Sequence, residues 1–92
     1  RGKDMGEMTK EEIIAALTVA NKSARQSDIA IYADAFIEYQ AAQKNIDEHG
    51  SIVFHPRTGS PIDNPYAKVR DRASATIRAM KSIRADALWG DR

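Results

Sequence analysis

The sequence predicts a mainly α fold: a short N-terminal helix, then an antiparallel hairpin of two long helices joined by a short two-stranded β-ribbon. Three observations predict it. Apolar residues return at steps of three and four through residues 10–21, 28–49 and 65–88. A β-branched and aromatic stretch flanked by prolines interrupts them at 51–63. The 92 residues, with 42% hydrophobic and 29% charged side chains, suit one small domain over 9–92. Residues 1–8, which open on Arg1 rather than Met, are read as a disordered or fragment edge and carry no weight in the fold.

The first helix is announced by Thr9-Lys10-Glu11-Glu12, a hydroxyl at the cap with a carboxylate three residues on. Ile13, Ile14, Leu17 and Ala20 give it one apolar face, and Asn21-Lys22-Ser23 is a polar break. Ser27 or Asp28 can cap the second helix, whose stripe runs through Ile29, Tyr32/Ala33, Phe36, Tyr39 or Gln40, Gln43 and Ile46. Its early acids suit the positive end of the helix dipole, Asp47 and Glu48 do not, and Gly50 is a natural stop.

Ser51-Ile52-Val53-Phe54 and Ser60-Pro61-Ile62-Asp63 read as strands around an Arg57-Thr58-Gly59 turn. Pro56 and Pro61 cannot donate to a ladder, so the ribbon is short, with exposed edges, and must lie against other elements. Asn64-Pro65 restarts a helix, with Asn at the cap and Pro at the first position. Tyr66, Val69, Ala73, Thr76/Ile77, Met80, Ile83 and Ala87 then predict one helix to about Leu88, ended by Gly90.

Composition excludes several classes. No apolar run approaches the ~20 residues of a bilayer span. The absence of Cys removes disulfide scaffolds and Cys-ligated zinc, and fits an intracellular setting. His49 and His55 lack a metal-ligand spacing, and His55 with Asn64 lacks the further ligands an HNH nuclease needs. The five glycines stand apart, so no loop cradles a phosphate, and no Ser has a His-Asp partnership. No enzyme, metal site or cofactor is expected.

Charge is polarised although the total is +1. Residues 26–49 carry one Lys against five carboxylates, net −4, and residues 65–92 carry seven cations against three carboxylates, net +4. Either two neighbouring helices attract each other, or the basic segment meets an external polyanion. On a continuous third helix, Arg70, Lys81 and Arg84 fall on one flank of the apolar stripe, with Lys68 and Arg72 toward the other. Lys22 and Arg25, at the first helix-to-helix break, form a second basic candidate with Lys10. A helix-turn-helix variant there would need a shorter, glycine-containing turn. The small core predicts a chain that gains stability by self-association, with Phe36, Tyr39, Ile77 and Met80 as interface candidates.

Ile31-Tyr32-Ala33-Asp34-Ala35-Phe36-Ile37-Glu38-Tyr39, then Glu48-His49-Gly50-Ser51-Ile52-Val53, then Gly59-Ser60-Pro61-Ile62-Asp63-Asn64-Pro65-Tyr66 together resemble the small subunit of tailed-bacteriophage terminases. The resemblance spans roughly Gln26 to Leu88 and lies in the ordered combination rather than in any one motif. It implies a non-enzymatic DNA-packaging factor in the cytoplasm of the bacterial host. Such a factor forms a homo-oligomer, often a ring, binds double-stranded viral DNA and delivers it to the terminase large subunit, which holds the ATPase and nuclease. Lys22, Arg25, Arg70, Lys81 and Arg84 are the DNA-binding candidates. The alternative from the residues is a helical-hairpin protein interaction module without a nucleic-acid role.

Overall fold

In a computed structural model, residues 8–89 are described. The elements run α1 (Lys10–Ala20), α2 (Gln26–His49), β1 (Ile52–Phe54), β2 (Pro61–Asp63), α3 (Tyr66–Ala79) and α4 (Asp86–Trp89). Most of residues 1–8 and the stop at Gly90 lie outside the described residues, although Met8 packs against the core.

α1 begins as its capping box dictates. The Thr9 hydroxyl accepts from the Glu12 N–H at 3.1 Å, and the Glu12 carboxylate accepts from the Thr9 N–H at 2.9 Å. The helix folds back along α2: the Lys10 ammonium meets the Asp34 carboxylate at 2.9 Å, and Ile13 and Leu17 are buried with Ile29, Ala33 and Phe36.

α2 starts two residues earlier than its cap signals predict. Arg25 holds the N-cap position with no side-chain hydrogen bond, and neither Ser27 nor Asp28 caps. The other end is as expected: Gly50, at φ +90°, sends its N–H to the Ile46 carbonyl at 2.7 Å. Around α2 the burial is wide. Ile29, Tyr32, Ala33 and Phe36 share a buried cluster with Ile13 and Leu17 of α1, Ala35, Ala42 and Ile46 are also buried, and α2 packs along α3 as well. α2 is therefore the central helix, with α1 and α3 each covering one side.

The ribbon forms with the register Ile52↔Asp63, Val53↔Ile62 and Phe54↔Pro61. Buried Asn64 closes it. Its Nδ2 donates to the Asn45 Oδ1 at 3.0 Å and to the Gly50 carbonyl at 2.9 Å, and its Oδ1 accepts from the Tyr66 N–H at 2.9 Å. One side chain thus joins the end of α2 to the start of α3, with Pro65 already in helical geometry. The two long helices are held antiparallel.

The third helix does not run on to Leu88. It ends at Ala79, where Met80 leaves helical geometry at φ −96°, ψ 62°, and α4 follows a linker. The break lets Ile83 and Ala85, rather than the exposed Ala87, reach the core formed by Ile13, Leu17, Ile29, Tyr32, Ala33 and Phe36. A straight helix would have carried them past it.

Candidate nucleic-acid interface

The linker is held by Asn21, which sequence reasoning treats only as a polar break. Its Nδ2 donates to the Leu17 carbonyl at 2.9 Å and the Arg84 carbonyl at 2.8 Å, and its Oδ1 accepts from the Arg84 N–H at 2.7 Å. A buried Asn that reads both backbone groups of a residue 63 positions away acts as a template for that residue's position. No local pattern marks such a pairing.

The consequence is electrostatic. Arg84 is carried to the α1–α2 connection, where Lys22, Ser23 and Arg25 line a concavity of about 450 Å³ together with Ser82 and Arg84. Lys22, Arg25 and Arg84 are exposed, and Asp28 is the one carboxylate among the lining residues. α2 begins here with an uncapped first turn, so the positive end of a 24-residue helix adds to the three cations. Hydroxyls, cations and backbone N–H groups on a shallow surface are the donors that bind phosphate oxygens.

The structure regroups the predicted basic residues. Lys22, Arg25 and Arg84 come together, and exposed Lys81 stands next to Ser82 in the same linker. Arg70 does not join them. It lies nine residues before the end of α3, ~14 Å along the helix, and its Nε contacts the Asp71 carboxylate at 3.2 Å. The common flank drawn through Arg70, Lys81 and Arg84 dissolves because the helix stops before Lys81.

The self-association candidates are placed largely inside the protomer. Phe36 has no exposed surface, and Ile77 and Met80 pack against the core, half-buried. Trp89 explains part of this. Its ring meets Phe36 edge-on at 4.8 Å and Tyr39 at 5.3 Å, and its Nε1 donates to the Tyr32 hydroxyl at 3.0 Å. Half-buried Tyr39 and the more exposed Trp89 also line an open groove of about 680 Å³ along the second half of α2, beside Met8, Ile37, Asp47 and Glu48. The groove exists because 11-residue α1 is shorter than 24-residue α2 and leaves that length uncovered.

Among the described residues no helix is long and apolar enough to cross a membrane. No curated protein and no solved structure matches the chain. A family model described as the small subunit of phage terminase matches residues 8–83, which takes in α1, the helical hairpin, the ribbon and the linker up to Ile83. The chain belongs to the phage terminase small-subunit family, and with it to the machinery of phage DNA packaging.

Proposed function

We propose that this chain is the non-enzymatic, oligomeric DNA-binding adaptor of a phage terminase. It engages double-stranded viral DNA in the host cytoplasm and delivers it to the large subunit. The observation that carries the reading is the convergence of Lys22, Arg25 and Arg84, from two separate connections, on one polar concavity. Binding of this kind rests on phosphate contacts and therefore weakens steeply with salt.

Fluorescence anisotropy with a labelled duplex across a salt series tests it. Charge reversal at Lys22, Arg25 and Arg84 should weaken binding and flatten the dependence of log K on log[salt] by about one for each phosphate no longer neutralised. Reversal of Arg70 should do much less. Unchanged low-salt affinity in the triple variant would return these cations to the role of solvated surface.

Self-association is supported by the apolar surface that one protomer leaves uncovered, which includes Val19, Ile31, Ile52, Phe54 and Tyr66, and by the groove beside Tyr39 and Trp89. Mass by light scattering should be a multiple of 10.2 kDa. A monomer at high concentration would contradict it.

A further inference from the structure

The two edges of the β-ribbon are not equivalent. The Asn64 N–H donates to the Ser51 carbonyl and the His55 N–H to the Ser60 carbonyl, both at 2.8 Å. With the observed register, the hydrogen-bonded pairs are therefore 51 with 64, 53 with 62 and 55 with 60. The backbone N–H and C=O groups of Ile52 and Phe54 point away from the ribbon. On β2 the outward positions are Pro61, which has no N–H, and Asp63, which brings a carboxylate. Proline and charge are the features that keep a further strand off an edge. Within β1 the outward positions Ile52 and Phe54 are neither proline nor charged, and Pro56 falls past the end of the strand.

The side chains add to this asymmetry. Phe54 is 70% exposed and Ile52 52%, and as residues two apart they share one face, whereas Val53 and Ile62 on the other face are half-buried.

We propose that the outer edge of β1 pairs antiparallel with β1 of a second copy, so that two ribbons make one four-stranded sheet. The inference rests on the oligomeric reading above and names the surface it uses. With the two-fold axis at Val53, Ile52 and Phe54 exchange N–H···O bonds with Phe54 of the partner subunit and Ile52 of the partner subunit. On the exposed face each aromatic ring then lies opposite a β-branched side chain. Charge selects the antiparallel sense and a second copy as occupant. It lays the ribbon tip, with exposed Arg57, beside the base of the other ribbon, where α2 ends in exposed Asp47 and Glu48. A parallel pairing would set Arg57 against its own copy. Both outer strands are then β2, closed by Pro61 and Asp63, so the sheet stops at four strands. Such an isologous contact adds a two-fold axis to any ring built through the helices.

Amide exchange of the full chain followed by NMR, at concentrations above and below assembly, tests the pairing. The Ile52 and Phe54 amides should gain about tenfold or more protection in the assembled sample and lose it on dilution. Phe54→Lys should abolish that protection and halve the assembled mass while circular dichroism is unchanged, because the replaced ring is exposed. Arg57→Glu should shift assembly to higher concentration. Assembly with unprotected Ile52 and Phe54 amides would overturn the β1 contact and leave the oligomeric reading standing. A chain monomeric throughout would overturn both, and sheets that grow without limit would overturn closure by β2.

Discussion

Two asparagines, each buried and each making three hydrogen bonds through its side chain, hold the ends of the helical hairpin. Asn64 fastens the ribbon end and Asn21 the linker end. Removing either side chain leaves buried backbone groups without partners, which costs about 1–3 kcal/mol. Asn64→Ala should therefore lower unfolding stability in urea by about 2 kcal/mol. Asn64→Asp should cost more, since a carboxylate keeps the bond from the Tyr66 N–H but turns repelling oxygens toward Asn45 Oδ1 and the Gly50 carbonyl. Asn21→Ala should cost a similar amount and also loosen Arg84, so its DNA affinity should fall although no charge is removed. Gly50 is a simpler case. A Cβ there would meet the Ile52 carbonyl oxygen at an ordinary 3.6 Å, so Gly50→Ala should lose about 1–3 kcal/mol, from a backbone at φ +90°, ψ 168° and not from a clash.

At the scale of elements, α4 is four residues long and has no buried residue of its own, so it holds by what its side chains reach. Trp89, still 40% exposed, supplies an edge-on contact to each of Phe36 and Tyr39 and one hydrogen bond to Tyr32. Trp89→Ala should cost about 1–2 kcal/mol, below the roughly 3–5 of a fully buried aromatic ring. Amide exchange should rise through residues 80–89 while the middle of α2 keeps its protection. α1 is held mainly by Ile13 and Leu17, which are essentially unexposed. Its Lys10–Asp34 ion pair, with both side chains about half exposed, contributes little, and Asp34→Asn should change stability by less than about 0.5 kcal/mol.

For the whole molecule, the polarised charge acquires a spatial meaning. Asp34, Glu38, Asp47 and Glu48 are exposed on α2, and Lys68, Arg72 and Arg78 on α3, so an acidic helix lies beside a basic one, both with charges in solvent. The basic concavity sits at the end of the hairpin away from the ribbon, because Asn21 and Asn64 mark opposite ends of the α2–α3 pair. On the proposed reading DNA meets one end of the hairpin and a second copy the other, so the two contacts do not compete. Raising salt should release DNA before it dissociates the assembly, since every phosphate contact is screened, whereas in the assembly only the Arg57 pairing is and the apolar and β-edge contacts are not. Light scattering and anisotropy on the same samples would show the order.

Local chemistry alone determined most of the elements. Thr9 with Glu12, Gly50, and Asn64 followed by Pro65 are start and stop signals whose partners lie within a turn or two, and α1, α2, the ribbon and the start of α3 follow them closely. Lys22 and Arg25 were legible as a basic cluster for the same reason, being neighbours in the chain. The end of α3 was not. Met80-Lys81-Ser82 contains no proline or glycine, and its helical periodicity continues unbroken, so nothing nearby signals the break. What decides it is a core on α1 and α2 that Ile83 and Ala85 can reach only from a bent chain, and an asparagine 63 residues away that binds the backbone at Arg84. The same long-range contacts brought Arg84 to Lys22 and Arg25, separated it from Arg70, and sealed Phe36 beneath Trp89. Helix stripes specify which face is apolar; which neighbour covers that face is a property of the folded chain.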